Sequence, residues 1–347
     1  MNRLMHMLQV EKPIIQAPMA GGITTIELVK ASMNEGILGS LASGYLSPGV
    51  LEEQILAVSR HSRHPFQVNL FVPHEGAPPT FMHVEKWKER IPYSEEAEPF
   101  TTLDEQWDDF NRKVDLIIKH HVPMCSFTFH VPPEKIVKQL KQAGCLLMGT
   151  ASTPEEAILM EEAGMDMVCV QGSEAGGHRA SFLETDGDSS IGLMSLIPET
   201  VDAVSIPVIA AGGIKDRRAV EAAFILGACG VQVGTPFLLC KESGTPLPHR
   251  QRIMEAHSTD TRITSLFSGK QARGIVNRWM LDQEKYEKSS LPYPYQNTLT
   301  KPMRKVASES CDPSFMSLWA GQGIGSMKSS TTVREVVYSL WDHEIKR

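Results

Sequence analysis

No apolar run in the 347-residue sequence approaches the roughly 20 residues needed to cross a bilayer, so no membrane-spanning helix is expected. The opening stretch MNRLMHMLQVEKP has no continuous apolar segment and no small-residue cleavage site, so no signal peptide is expected. Basic residues form no long run, and a net charge of -7 disfavours a nucleic-acid partner. The six cysteines include no CxxC pair and mostly sit in apolar runs, the pattern of buried reduced thiols in a cytoplasmic protein. Metal spacings of the HxH and HExxH kinds are missing. So are the GxSxG nucleophile elbow, the GxxxxGK[ST] phosphate loop and a GxGxxG opening a dinucleotide-binding unit.

What is present is a regular alternation. With 41% hydrophobic and 22% charged residues, the chain can bury one large core or two smaller ones. PIIQAPM (13–19) reads as a buried strand, and TTIELVKASMNEG, with a Thr start and a Gly stop, as a helix. Strands follow at 37–43, 65–72, 124–130, 145–152, 166–173, 207–214 and 230–239, with helices at 102–120, 133–143, 153–163, 194–204, 216–227 and 246–257. Residues 73–100, rich in proline, glutamate and aromatics, break the alternation and read as an insertion, or a loop over one face. Strands of continuous apolar character are buried on both sides, as in a parallel sheet. Eight strand–helix units by about residue 257 predict an α/β fold, a closed (β/α)8 barrel over about 13–257; a doubly wound open sheet is the alternative. Residues 258–347 form no ninth unit and are expected to be an appendage over the active-site face of a single 1–347 domain.

The chemistry is expected where barrel strands end. Ala211, Gly212 and Gly213 close strand seven, and Gln232, Val233, Gly234 and Thr235 lie within strand eight. Glycine lets backbone N–H groups approach an anion, a helix N-terminus adds a favourable dipole, and these two loops are the recurrent phosphate site of such barrels. After strand six comes QGSEAGGHR: Gln171, then Gly176 and Gly177 for close approach to a ligand, then His178, whose neutral imidazole can take a proton. Asn69 can both donate and accept at a heteroaromatic edge. His130 ends strand four as a candidate lining residue, and the backbone of Gln16, Pro18 and Met19 can pass close to a flat ring. With no dinucleotide fingerprint, a phosphate-bearing ligand that fits is flavin mononucleotide (FMN).

The stretches QAPMAGG, NLF, QGSEAGGHR, AAGGI, QVGTPFL and AGQGIG resemble the class I nitronate monooxygenases, formerly 2-nitropropane dioxygenases, from residue 13 to about 325. The resemblance implies FMN at the C-terminal mouth of the barrel, and oxidation of alkyl nitronates such as propionate 3-nitronate with O2 to a carbonyl compound and nitrite. It implies that Asn69, Gln171, Gly176, Gly213 and Gln232 through Thr235 hold the FMN. It makes His178 the active-site histidine, His130 a second pocket histidine, and Tyr293, Tyr295 and Lys301 the segment over the substrate. The chain departs from the family in having His-Arg-Ala where His-Arg-Gly is common, and in the charged insertion at 73–100. For a neutral nitroalkane His178 is the candidate base; for an anionic nitronate His178 and Lys301 can supply donor or positive groups. An FMN-dependent enoyl-acyl-carrier-protein reductase, an NAD(P)H:quinone reductase and a regulatory module without turnover are the competing readings.

Overall fold

The computed structural model describes residues 3–62, 64–74, 77–183 and 190–342. Residues 75–76 of the expected insertion and 184–189 of the loop after the sixth strand lie outside them. Six strands come first: β1 (Ile14–Gln16), β2 (Gly39–Ala42), β3 (Phe66–Phe71), β4 (Met124–Thr128), β5 (Leu146–Ala151) and β6 (Met167–Gln171). A two-residue strand β7 (Gly177–His178) precedes β8 (Val208–Ala211) and β9 (Gly230–Val233). All but β7 form one parallel eight-stranded sheet in the order β1-β9-β8-β6-β5-β4-β3-β2. An isolated parallel bridge between Ile15 and Leu38 joins the two ends, so the sheet is a nearly closed barrel and not an open doubly wound one.

The barrel strands are buried along almost their whole length, which is why they read as apolar runs without alternation. One set of side chains, including Ile14, Val68, Val168 and Val231, packs outward against the helices. The other set, including Met124, Met148, Met167 and Ile209, fills the barrel with Leu4 and Leu8 of the helix Arg3–Leu8. A Cβ at Gly230 would collide with the Leu4 side chain, so glycine at the start of β9 makes room for this plug. The helices begin where side-chain acceptors occur. Thr25, Ser47, Thr102, Thr153 and Asp216 each accept a hydrogen bond from a first-turn N–H, and Thr102 and Glu105 cap reciprocally.

Several expected boundaries are corrected. The eighth barrel strand stops at Val233, six residues short of the expected end. Pro236 offers no donor, and Phe237 N–H turns back to Gly234 O at 2.9 Å, giving a 3-10 turn over Thr235–Leu239. Gly234 and Thr235 therefore lie past the strand, in the turn. The first strand ends at Gln16, ahead of Pro18. The insertion is not a plain loop: it holds a helix, Phe81–Lys88, capped by Thr80.

That insertion and the C-terminal appendage share a small upper core of Trp87, Leu266, Phe267, Trp279, Leu291, Leu299 and Met303. The Trp87 Nε1–H donates to Ser289 O at 2.7 Å, so the indole is buried with its polar edge satisfied. The appendage also carries β10 (Thr261–Thr264) and β11 (Ala272–Ile275), which pair antiparallel. Strand β11 then pairs with β7, placing Ala272 beside His178 and Arg273 beside Gly177. The appendage thus orders the histidine loop through backbone hydrogen bonds.

Candidate active site

A cavity of about 560 Å³ opens at the C-terminal ends of the barrel strands. It is walled by the strand ends and by the appendage helix Tyr295–Glu309 and segment Met316–Met327. Among the residues singled out from sequence, Pro18, Met19, Asn69, Gln171, Gly176, Gly177, His178, Gly212, Gly213, Gln232, Val233, Gly234, Thr235 and Lys301 line it. Gln16, His130 and Tyr293 do not.

Their placements have local causes. Gln16 is fully buried, and its Oε1 accepts from Ser40 N–H at 3.0 Å, so its side chain ties β1 to β2. Phe129 has φ +84, in the left-handed region, just after β4. The Phe129 ring is buried against that of His178, 5.7 Å away, while His130 is exposed and bonded to its own neighbour Val131. Phe129 thus takes the inward place expected for His130. Tyr293 stands behind the histidine, with ring centroids 6.3 Å apart, and its hydroxyl lies within reach of that of Tyr45. Tyr295 faces Phe100 outside the cavity, and Lys301 pairs with Glu98 at 2.8 Å.

One end of the cavity is a glycine cradle. Gly212 and Gly213 have φ of +125 and +67, a conformation that exposes backbone N–H groups and that other residues rarely adopt. A Cβ at Gly176 would stand 2.5 Å from Ala320 C and Gly321 N, so only glycine lets the AGQGIG segment close over this loop. Gly321 N–H donates to Thr235 Oγ1 at 3.0 Å, fixing that segment across the turn after β9. The helix N-terminus beyond β8 is capped by its own Asp216, so the cradle rests on loop N–H groups more than on that dipole. Beside the cradle, Gln232 Oε1 is buried with no hydrogen-bond partner among the described residues. Asn69 Nδ2 donates to Ser126 Oγ at 3.0 Å and Thr128 Oγ1 at 3.1 Å, leaving its Oδ1 free. An unsatisfied buried amide oxygen is costly unless a ligand supplies a donor. A flat heteroaromatic ring with N–H edges and a phosphate tail, as in FMN, matches these demands.

The other end is aromatic and electropositive. His178 is half-buried among Phe129, Tyr293 and Trp319. Burial, then the positive charges of Lys270 and Arg304, push its pKa down to about 3, so the ring is neutral near pH 7. Its Nε2 lies 2.9 Å from Ser268 Oγ, while Nδ1 makes no hydrogen bond among the described residues. The Lys270 pKa is itself pushed down to about 8, mainly by burial; its Nζ donates to Ser181 O at 2.7 Å and lies 5.0 Å over the Phe129 ring. Arg179 is buried and donates to Gln171 O, Gln171 Oε1 and Gly172 O, which shapes the loop from behind.

The sequence reading missed Ser268, Lys270, Phe129, Arg304, Trp319 and the buried cavity residue His249. Arg304 had a usable signal. Asn297, Lys301, Arg304, Lys305 and Ser308 follow a 3.6-residue period, so one helix face looks into the cavity.

Comparison with known proteins identifies the family. The family model described as nitronate monooxygenase matches residues 2–343. A probable nitronate monooxygenase of Bacillus subtilis (strain 168) is 55% identical over 346 residues, covering 100% of both chains. The solved nitroalkane oxidase of Streptomyces ansochromogenes superposes with a TM-score of 0.88 at 35% identity, covering 97% of this chain and 96% of that one. FabK of Thermotoga maritima superposes at 0.78 with 26% identity, covering 99% and 95%. The chain belongs to the nitronate monooxygenase family, a family of flavin-dependent oxidoreductases.

Proposed function

We propose that this chain is an FMN-dependent monooxygenase that oxidises alkyl nitronates, propionate 3-nitronate among them, with O2 to a carbonyl compound and nitrite. The observation that carries the reading is the division of one cavity into a glycine cradle and a cation-flanked, neutral His178. We place the enzyme in the cytoplasm, where its six cysteines, all free thiols, would stay reduced.

The backbone N–H groups of Gly212, Gly213, Gly234 and Thr235 would hold the phosphate, with Gly176 and Gly177 allowing close approach. Asn69, Gln171 and Gln232 would meet the polar edge of the ring, and Pro18 and Met19 would flank it. When bound, the flavin supplies the one-electron and O2 chemistry. The protein supplies an environment for a negative substrate: Lys270 and Arg304 stabilise an anion, and Phe129, Tyr293 and Trp319 keep bulk water away. For a nitroalkane, His178 Nδ1 is the free lone pair that can receive the α-proton, and Nε2–H stays on Ser268. An imidazolium is disfavoured beside these cations, but a nitronate formed next to it offsets that repulsion. His130 has no part in this scheme.

The experiment uses purified holoenzyme. Denaturation should release FMN and not FAD, propionate 3-nitronate should drive O2 uptake with nitrite release, and anaerobic NADH should leave the flavin oxidised. Rapid bleaching by NADH without nitronate-dependent O2 uptake would replace this reading with a reductase.

A further inference from the structure

Among the described residues four lysine and arginine side chains line the cavity, Lys270 stands behind it, and their partners differ. Lys215 lies at the glycine cradle, its Cδ 3.7 Å from where a Cβ on Gly323 would sit. Lys301 and Lys305 line the rim, but their heads reach Glu98 at 2.8 Å and Glu309 at 4.0 Å and are largely in solvent. Lys270 stands behind Phe129, outside the lining. Arg304 remains. Its Nη2 donates to Asn297 O and Asn297 Oδ1, both at 2.9 Å, and its Nε to Thr300 O at 3.3 Å. These bonds hold the guanidinium to its own helix, and among the described residues Nη1 has no hydrogen-bond partner, while the side chain lines the cavity. Among the described residues no carboxylate lies within 4.0 Å of Arg304. A half-buried cation without a counter-charge is poorly compensated, and a permanent one cannot escape by losing its proton. The arrangement calls for an anion that comes and goes.

We propose that Arg304, and not Lys301, is the substrate-binding cation of this enzyme, receiving the negatively charged oxygens of the substrate through Nη1 at the aromatic end of the cavity. The inference rests on the nitronate reading and assigns a residue that the family resemblance would give to Lys301. The sequence departure behind it is the charged insertion at 73–100, whose Glu98 engages the Lys301 head at the exposed rim. Tyr45 and Tyr293, both within electrostatic reach of the guanidinium, complete its surroundings. A planar anion suits the flat donor edge of Arg304 better than it suits a lysine head.

The test compares Arg304→Gln, Arg304→Lys and Lys301→Gln as holoenzymes, with flavin content and Tm recorded for each. Two readouts are taken: KM and kcat for propionate 3-nitronate, and the Kd of nitrate, a planar anion, from its perturbation of the flavin spectrum. In Arg304→Gln both KM and Kd should rise about tenfold or more, with kcat within about threefold, as befits a lost charged hydrogen bond. Lys301→Gln should leave both within about twofold. If Arg304→Gln does not fold, Arg304→Lys decides: it keeps the charge, loses the fork and should show an intermediate nitrate Kd. Unchanged nitrate binding in the folded Arg304 variants, or a larger effect from Lys301→Gln, overturns the proposal. A wild-type enzyme that fails to oxidise nitronates would instead remove the functional reading, and the nitrate titration would still decide the role of Arg304.

Discussion

His178 Nε2 lies 2.9 Å from Ser268 Oγ, and this contact couples the proton position on the ring to the appendage. With the Ser268 hydroxyl hydrogen on Lys270 O at 3.0 Å, Ser268 Oγ accepts from the histidine. That arrangement puts the proton on Nε2 and the lone pair on Nδ1. Ser268 and Lys270 belong to the appendage, between β10 and β11. The barrel supplies the histidine and the appendage selects its tautomer.

Replacing His178 by Asn tests the role of that lone pair. The variant keeps similar size and a donor but has no titratable nitrogen, so FMN content and Tm should match wild type. Turnover of a neutral nitroalkane should fall about 10²–10⁴-fold, the usual cost of a lost general base. Turnover of preformed nitronate should fall less, because its α-proton is already gone. The ratio of the two kcat/KM losses is the measurement, and equal losses would make His178 an anion ligand instead of a base. With its pKa near 3, His178 should also give no inflection between pH 5 and 8 in the free enzyme.

Gly213→Asp should weaken FMN binding far more than it weakens the fold. Gly213 has φ +67, which aspartate tolerates better than most residues, and its added Cβ would meet Glu174 Cβ at 3.4 Å, an ordinary contact. The new carboxylate would stand where the phosphate is proposed to bind and repel it. Flavin occupancy after purification is the readout. Wild-type occupancy in this variant would put the phosphate elsewhere.

The barrel was legible in the sequence because parallel strands buried on both faces and capped helices leave local signals, as at Val168 and Thr25. Strand ends were less so. Phe237 looks like a strand residue, and only the missing donor of Pro236 marks the turn. The glycine cradle was legible for a related reason, since Gly212 and Gly213 occupy backbone conformations that few other residues tolerate. The aromatic end was not. Which of Phe129 and His130 faces inward depends on one left-handed residue, and which of Lys301 and Arg304 is free depends on Glu98, some 200 residues away in sequence. Sequence spacing carries no record of either.

Glu156 should be the most sensitive carboxylate behind the site. It is fully buried, with Oε2 accepting from Ser152 N–H at 2.6 Å and Ser152 Oγ at 2.8 Å. Its Oε1 accepts from Phe182 N–H at 2.6 Å and Leu183 N–H at 3.0 Å, anchoring the chain just past His178. Glu156→Gln turns one acceptor into a donor and sets an NH2 group against at least one backbone N–H. The expected loss is about 1–3 kcal/mol in urea unfolding, from the donors left unsatisfied. A variant as stable as wild type would mean that residues 182–183 do not depend on this carboxylate.

His249 should make the fold acid-sensitive. It is 3% exposed, its Nε2 is buried without a partner among the described residues, and burial lowers its pKa to about 4, with the nearby Trp319 backbone opposing more weakly. In the unfolded chain its pKa is near 6.5. Above that value both states hold a neutral ring, and His249 adds no pH dependence. As pH falls from about 6.5 to 4 the unfolded chain takes a proton that the folded chain refuses. Stability should then drop by up to about 1.4 kcal/mol per pH unit on account of this residue. Below pH 4 both states are protonated and the contribution levels off. The carboxylates titrate alike in wild type and in His249→Gln, and so does His178, so the difference between the two proteins isolates His249. Urea unfolding at pH 7.5, 6, 5 and 4.5, at fixed FMN concentration, should give a steeper loss for wild type than for His249→Gln. Parallel pH dependences would show that the folded protein protonates His249 as easily as the unfolded chain does.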